Sequence, residues 1–426
     1  MGLNSTVGAF NTGTGAVGTT VAVTGLGYTP KVVFFWWSGR TETTDTAGRA
    51  NHGRGFGSAV SATDRRCVYT HSDDASASAF AKNAMRSDAC IAVLVTGAAS
   101  GLLDGLLDLQ SMDSDGFTLV VDDQFATSFR IHYLALGGSD LTNVEGGVFT
   151  NSTSAAPVSQ SVTTSFKPDC LVFFSTSNPN NDGTIVADSS MCIGAVGSGT
   201  ISGNVSQQGV WAGGSNDAAA TMQTISYCIA SECIAVIGAP VTGLTARATF
   251  TSFDVTPGFT INWLETTALV RSTFYIALQG AKSYVSAFIT KTDTTTDITE
   301  SGFGFSPKST LFVSHGKASS TTDNAQDNDE WSCGAFSDIS TRGTQGTMDV
   351  DAGADSIVAT AVEHDEVYIN IDTAGAVEGL MDIKSVDVDG FTCIMDNADP
   401  SAAFVWYLAF GSSKTYPGYY SNIGWF

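Results

Sequence analysis

The stretch Gly27 to Trp37 reads Gly-Tyr-Thr-Pro-Lys-Val-Val-Phe-Phe-Trp-Trp, a turn that leads directly into an apolar run. Similar turns precede apolar runs at Ser165 to Asp169 and at Gly304 to Lys308. A turn residue followed by Val, Phe and Trp is typical of a loop that enters a buried strand. The chain therefore contains the same local pattern three times.

Two further landmarks repeat in the same order. Three phenylalanines are spaced by 139 residues (149−10 and 288−149), and Gly-Phe-Thr precedes a tyrosine by 17 residues in each repeat. These are Phe10, Phe149 and Phe288, Gly116, Gly258 and Gly390, and Tyr133, Tyr275 and Tyr407. We interpret the chain as three tandem modules at 1–138, 139–280 and 281–412, followed by an aromatic tail at 413–426.

Each module has the pattern of an all-β domain, because short runs of Val, Ile, Phe, Tyr and Thr alternate with Gly, Asp, Asn and Ser. Eight strands are predicted in the first module: Thr20–Val23, Lys31–Trp37, Gly55–Val60, Cys67–Thr70, Ala89–Val95, Leu106–Met112, Phe117–Asp122 and Arg130–Leu136. This number of strands predicts three tandem β-sandwich modules of jelly-roll or Greek-key type. The short junctions predict that the modules pack on one another.

The composition excludes several classes of function. Only 19 Lys and Arg face 42 Asp and Glu, and the net charge of −23 argues against binding nucleic acid through its phosphates. The 8 cysteines form no CxxC pair, so we expect buried apolar side chains and neither a disulfide framework nor a zinc site. No cofactor is expected. We also expect no signal peptide and no membrane insertion, since no apolar run approaches the roughly 18 residues that span a bilayer.

Acidic pairs are the main catalytic candidates. Asp104 and Asp108 recur as Glu378 and Asp382, but residues four apart on a strand lie about 13 Å apart. Glycoside hydrolysis needs carboxyl groups roughly 5–9.5 Å apart. We therefore predict solvated strand faces.

The Asp-x-Asp-Gly turns, Asp113 to Gly116 and Asp387 to Gly390, offer carboxylate oxygens of the kind that calcium binds, but neither continues into the twelve-residue loop of a specific calcium site. A hairpin turn is the favoured interpretation, because Pro257-Gly258 replaces this motif in the second module. The five histidines form no HExxH motif. The sequence thus predicts a protein without catalytic or metal-binding residues, which is not an enzyme.

Trp36 and Trp37 are candidate partner-binding residues. Neighbouring side chains on a strand point in opposite directions, so one indole should face the core and the other should point away from it. The outward ring should pack against the next module or subunit, or stack on a sugar.

Basic residues are concentrated in one segment, where Arg49, Arg54, Arg65 and Arg66 accompany His52. They form a candidate patch for the carboxylates of a neighbour, with a solvated loop as the alternative.

The tail contains further candidates for partner binding: Tyr416, Tyr419, Tyr420, Trp425 and Phe426. Tyr416 and Tyr420 have the spacing of Tyr284 and Phe288, so the tail imitates the start of a fourth module. It either closes the third sandwich or adds a strand to a neighbouring subunit.

The motifs together resemble a recurrent β-sandwich unit of tailed-bacteriophage structural proteins. The resemblance rests on the Pro30 to Arg40 opening, the Asp-Gly-Phe-Thr turn and the Tyr133 to Gly138 ending, and it covers all three modules. The second module departs from it in lacking the Gly-Phe opening and the acidic turn.

The resemblance implies a non-enzymatic virion protein, made in the host cytoplasm and located on the exterior as a capsid decoration or tail component. Its partners would be other capsid or tail subunits, and a homo-oligomer is left open. The alternative is a lectin-like protein that binds a host surface glycan through its variable loops. A polysaccharide-degrading enzyme is the weakest hypothesis, because no carboxylate constellation recurs.

Overall fold

The computed structural model of the chain describes residues 2–94, 102–198, 207–217, 221–238, 241, 243–254, 256–317, 328–351 and 356–412. These residues form thirty-two β-strands and no helix. The strands build three large and three four-stranded antiparallel sheets, which pack as sandwiches. The predicted all-β sandwich fold is confirmed. Among the residues described, none belongs to a helix that could cross a membrane.

The strands are numbered in chain order. The first module contains β1 Leu3–Asn11, β2 Thr20–Thr24, β3 Pro30–Trp37, β4 Thr46–Arg49, β5 Gly55–Ser61, β6 Asp64–Ser72, β7 Ala81–Arg86, β8 Ile91–Leu94, β9 Leu103–Asp113, β10 Gly116–Asp123 and β11 Arg130–Gly138. The second contains β12 Asn143–Thr150, β13 Val158–Thr163, β14 Cys170–Ser175, β15 Val186–Ala187, β16 Ser189–Gly197, β17 Gln207–Ser215, β18 Thr224–Ile229, β19 Ile234–Ile237, β20 Leu244–Asp254, β21 Gly258–Glu265 and β22 Ser272–Gln279.

The third contains β23 Lys282–Ile289, β24 Ile298–Ser301, β25 Pro307–Ser314, β26 Asp329–Asp338, β27 Thr341–Asp349, β28 Val358–Glu363, β29 Tyr368–Ile371, β30 Val377–Asp387, β31 Gly390–Asn397 and β32 Phe404–Gly411.

In the first module the large sheet has the order β1-β11-β3-β5-β6-β7, and the small sheet has the order β2-β10-β9-β8. The other two modules repeat this order.

The strand register shows which positions of the three modules correspond. Tyr133, Tyr275 and Tyr407 pair with Phe35, Phe173 and Phe312, which in turn pair with Gly57, Gly194 and Gly334. A Cβ on any of these glycines would meet the carbonyl oxygen of Cys90, Cys233 or Val367. Cys90, Cys233 and Val367 therefore occupy equivalent places in the three modules. All eight cysteines are buried and free, as expected.

The repeated Gly-Phe-Thr motif has a steric cause. Gly116 has φ of 153°, and a Cβ there would collide with the carbonyl oxygen of Val23 on β2. Gly258 and Gly390 have the same conformation and the same kind of neighbour. The following phenylalanine is fully buried between the two sheets in every module. Glycine is needed because the small-sheet strands approach each other so closely at this point.

Each large sheet is apolar on both faces. In β3, Phe35 and Trp37 belong to the core between the two sheets of the first module. Phe34 and Trp36 belong to a different core, to which all three large sheets contribute. We call this second cluster the shared core. Its presence shows that the modules pack on one another, as the short junctions predicted.

The seams between modules use corresponding positions in a cyclic order. Arg66 of the first module lies over the Phe274 ring of the second, with its Cζ 5.5 Å from the ring centroid. Gly209 of the second lies against Trp406 of the third, and Gly343 of the third lies against His132 of the first. By the strand register, positions 66, 209 and 343 are equivalent. The modules therefore form a closed ring with approximate threefold symmetry.

Strand exchange reinforces this ring. The β4 strand of the first module pairs with β28, at the edge of the third module's large sheet. The β15 strand of the second module pairs in the same way with β7, at the edge of the first. Both short strands come from the connection that follows the apolar run of their own module. At these two seams, each module thus completes a sheet edge of the preceding one.

Three strands of the first module, β1, β4 and β7, were not predicted. The β4 sequence, Thr-Ala-Gly-Arg, has little strand character, and its partner lies more than 300 residues away in the chain. In β1 the well-buried apolar residues Leu3, Val7 and Phe10 do not alternate with polar ones. Tertiary pairing, rather than local pattern, determines these strands.

Replacing Gly343 by alanine should destabilise the packing of the third module on the first, because the new Cβ would lie 2.6 Å from the His132 imidazole. We expect a loss of about 1–3 kcal/mol in the free energy of unfolding, measured by urea denaturation. The loss should be smaller when His132 is also alanine. Gly48→Ala is the matched control, since its Cβ would have only an ordinary contact at 3.6 Å. An equal loss in both His132 backgrounds would contradict the proposed seam contact.

Candidate functional site

The two adjacent tryptophans are fully buried. Trp37 lies in the core of the first module, and Trp36 lies in the shared core, where it stacks on His132 with ring centroids 5.8 Å apart. One indole therefore lies inside the core of the first module and the other lies outside it, as predicted. The prediction that Trp36 or Trp37 binds a separate partner or a sugar was wrong, because neither ring reaches the surface.

The four arginines do not form one basic patch. Arg49 pairs with Asp74 at 2.8 Å, Arg65 pairs with Asp108 at 2.7 Å, and Arg66 pairs with Asp64. Arg54 is completely buried and pairs with Asp329 of the third module at 2.5 Å. Arg54 and Arg66 were thus wrong as surface residues for an external partner. Their proximity in sequence does not persist in space, since alternate strand positions point to opposite faces.

Arg54 lies within a buried polar cluster that draws on all three modules. We call it the central cluster, and it consists of His52, Arg54, Ser215, Asp329 and Asp349. His52 Nε2 lies 3.0 Å from Asp349 Oδ1, and the Ser215 hydroxyl donates to the same carboxylate. Arg54 also donates to Thr347 Oγ1 at 3.1 Å and lies 5.1 Å from the centre of the Trp211 ring.

The positions of this cluster follow from the repeat. Residues 52, 189 and 329 are equivalent by strand register, as are residues 72, 215 and 349. They are occupied by His, Ser and Asp and by Ser, Ser and Asp, respectively. Every module therefore directs a polar side chain to this level of the ring, although only the third places carboxylates there.

Burial and neighbouring charges set the ionisation of the cluster. Burial raises the pKa of Asp329 to about 6, although Arg54 opposes the shift. Burial would also raise the pKa of Asp349, but His52 and Arg54 outweigh it and hold the pKa below its usual value. Burial lowers the pKa of His52, so its imidazole is neutral near pH 7 and can donate one hydrogen bond to Asp349. The side chains of these charged groups do not reach solvent, so the cluster holds modules together and does not bind a soluble substrate.

A second set of ion pairs joins the two sheets within a module. Arg65 reaches from β6 to Asp108 on β9, and the equivalent Arg342 reaches from β27 to Asp382 on β30. In the second module the two positions are Gln208 and Phe250, and the glutamine accepts a hydrogen bond from the Phe250 backbone at 2.8 Å. Both charges are absent together, so no carboxylate is left unpaired there.

The acidic turns are used for loop closure. Asp115 accepts hydrogen bonds from the backbone of Gly25 and Gly27, and Asp389 does the same for Gly302 and Gly304. These contacts join the β9–β10 hairpin, and its equivalent in the third module, to the loop before the apolar run. They account for the Asp-x-Asp-Gly motif as a hairpin turn.

One group of carboxylates in the described part of the chain has the spacing of metal ligands. The oxygens of Asp45, Glu363 and Asp365 lie within 4.8 Å of one another where β4 meets the third module. Burial, with Asp45 and Asp365 nearby, raises the pKa of Glu363 to about 7. His364 Nε2 accepts a hydrogen bond from Arg130, and Nδ1 donates to Asp45 Oδ1 at 2.9 Å. The three carboxylates share charge at a seam, and a proton on Glu363 relieves their repulsion.

A cleft opens between the first and third modules. We call it the seam cleft, and it has a volume of about 380 Å³. Arg40, Glu42, Asn51, Asp104, Thr127 and Phe129 line it from the first module, and Thr360 lines it from the third. From sequence, Asp104 is expected on a solvated strand face, and no pattern there predicts a cleft. Most of its other residues come from two loops of the first module that are far apart in sequence, and Thr360 comes from β28 of the third.

The predicted tail residues Tyr416, Tyr419, Tyr420, Trp425 and Phe426 lie outside the described residues. Near the last described position, Ser412 Oγ accepts a hydrogen bond from the Leu3 backbone at 3.3 Å. The end of the third module thus meets the start of the first.

Comparisons with known proteins give no family. No protein-family model matches the chain, and no curated protein matches it. A solved structure of beta-fructofuranosidase from Schwanniomyces occidentalis, complexed with fructosyl-erythritol, is 9% identical over 93% of this chain and 96% of that chain, with a TM-score of 0.14. A substituted fructofuranosidase from the same organism, complexed with fructosylnystose, is 8% identical over 92% and 100% of the two chains, also with a TM-score of 0.14. Similarity at this level carries no information about the fold or activity of the chain.

Removing the Arg54 guanidinium should leave two carboxylates buried without their cation. We expect Arg54→Met to lower the free energy of unfolding by about 3–5 kcal/mol, measured by urea denaturation. Adding Asp329→Asn should recover part of the loss, because the uncompensated charge is removed. Arg49→Met is the control, since Arg49 pairs with Asp74 near the surface. A control loss as large as that of Arg54→Met would contradict the role of the central cluster.

Stability should also depend on pH. Burial and nearby carboxylates raise the pKa of Glu366 to about 9, and burial raises the pKa of Glu330 to about 7. Between the unfolded and folded pKa values the folded state binds more protons, so the free energy of unfolding falls as pH rises. We expect a lower urea midpoint at about pH 9 than at about pH 7.5, a window above the usual histidine pKa.

Glu366→Gln should flatten this dependence, because it removes the group with the highest folded pKa among these glutamates. Glu265→Gln changes a half-exposed side chain and should leave the pH dependence as it is. A urea midpoint that rises between these two pH values would show that the buried glutamates do not control stability in this range.

Proposed function

We propose that the chain is a non-enzymatic structural protein of a tailed-phage virion, located on the exterior as a capsid decoration or a tail component. The observation that carries the proposal is the strand exchange at two seams of the closed ring, in which β4 completes the third module and β15 completes the first. One polypeptide thereby imitates a closed trimer of single modules. Such a ring is suited to a threefold or pseudo-threefold site of a symmetric assembly.

The surface chemistry is compatible with this role. The net charge of −23 favours solubility at high protein concentration and disfavours adhesion to nucleic acid during assembly. The residues that the repeat holds in common, such as the Gly-Phe-Thr glycines and the paired tyrosines, are used for packing. The resemblance to phage structural modules adds to these observations.

Quantitative mass spectrometry of gradient-purified particles from the source lysate tests the proposal. The measured quantity is the number of copies of this chain relative to the major capsid subunit. Copies in the hundreds would place it on the capsid, and a few to a few dozen would place it in the tail. Host ribosomal proteins in the same fractions serve as the control for carry-over. Absence of the chain from the particles would overturn the proposal.

A second candidate function, binding of a surface glycan, is favoured by the geometry of the seam cleft.

A further inference from the structure

The seam cleft is held in shape by contacts that do not involve a ligand. Arg40 Nη2 donates to the Thr360 carbonyl of the third module at 2.6 Å and to the Gly48 carbonyl at 3.2 Å. Its Nη1 donates to Glu42 at 3.3 Å, and Glu42 also accepts from the Thr41 backbone at 2.9 Å. These bonds join β4, the loop before it and the β28 edge. The cleft is therefore pre-organised, which lowers the entropic cost of binding.

Two side chains present hydrogen-bonding atoms that the described residues do not use. Asn51 Oδ1 accepts from the Asp74 backbone at 2.6 Å, and its Nδ2 has no partner among those residues. Asp104 Oδ1 accepts from the Ala126 backbone at 3.1 Å, and its Oδ2 likewise has no partner there. One oxygen of each side chain is fixed by the backbone, so the other atom has a fixed direction. The cleft thus combines an oriented donor with an oriented acceptor.

The charge of the cleft selects the class of ligand. Glu42 is balanced by Arg40, and Asp104 adds a carboxylate whose pKa is raised by burial and by Asp123. An anionic ligand would be repelled by Asp104 and by the acidic protein as a whole. A sugar hydroxyl can donate to a carboxylate and accept from an amide, and it carries no charge to desolvate. Thr127 adds an exposed hydroxyl, and the exposed Ala126 adds apolar surface for the sugar C–H groups.

We propose that the seam cleft binds a neutral saccharide of one or two sugar units. The volume of about 380 Å³ lies at the lower end of small-ligand sites, which span roughly 300–1,000 Å³. Asp104 accepts from one hydroxyl and Asn51 donates to another. This inference does not rest on the virion role, since it depends only on the cleft.

Among the described residues, only the first module supplies this set of side chains. By strand register, Arg40 corresponds to Asn178 and Lys317, and the sequence blocks match Asp104 with Ala246 and Glu378. In the second module the acceptor is missing. In the third, Lys317 pairs with Glu330 at 2.6 Å, so its cation is directed to a different carboxylate. The loops that diverge most between modules thus create a cleft of this composition in the first module.

The test is titration calorimetry and saturation-transfer NMR on the full chain with glucose, galactose, mannose, rhamnose, N-acetylglucosamine and N-acetylgalactosamine. At least one sugar should bind with a stoichiometry of one. Asp104→Asn should weaken that binding by about tenfold or more, because a hydrogen bond to a charged acceptor is lost. Thr127→Trp should abolish it by filling the cleft.

Ile339→Trp is the control, since Ile339 is exposed on the third module and does not line the cleft. It should bind sugar as the unmodified chain does. Thermal unfolding of all three variants checks that each is folded. Failure of every sugar to bind, or binding that Thr127→Trp and Asp104→Asn leave unchanged, would overturn the proposal. Either result is independent of whether the chain is found in particles.

Discussion

Phe34 and Trp36 point from one face of β3, and Phe35 and Trp37 point from the other. Both faces of the large sheet are therefore apolar, and both must be covered. One face is covered by the module's own small sheet. The other can be covered only by an equivalent face, and three such faces cover one another around the shared core. Full burial of a large apolar side chain contributes roughly 1.5–3 kcal/mol, so an isolated module would forgo a large part of its stability. The ring follows from this constraint.

Polar groups inside the ring serve a different purpose. Burying Arg54 and Asp329 removes both from water, and a buried ion pair often contributes little more than an apolar pair of the same volume. What the central cluster adds is a requirement for specific neighbours. Arg54 needs the carboxylate of the third module and lies against the indole of the second. The cluster thus favours one arrangement of the modules over others that would bury as much apolar surface.

Much of the fold could be predicted from sequence because the repeats report on local structure. The Gly-Phe-Thr turns, the strands of the apolar runs and the strands that contain Tyr133, Tyr275 and Tyr407 all form where the pattern predicted them. The β4 strand and the seam cleft could not be predicted, because Thr46 to Arg49 gains its structure from β28, far away in sequence. The arginines were misinterpreted for a related reason: sequence shows that Arg54 and Arg66 are close neighbours, but not that one points into the centre and the other onto a seam.

The three seams have diverged in size and chemistry while keeping their positions. The equivalent contact is an arginine on a phenylalanine at the first seam, a glycine on a tryptophan at the second and a glycine on a histidine at the third. A ring of three unlike modules cannot obey the symmetry of a threefold axis. Seated on such an axis, it would adopt one of three orientations, and averaging over the axis would superimpose Arg66, Gly209 and Gly343. Which orientation a neighbour selects would then be decided by the loops on the outer surface, where the modules differ most.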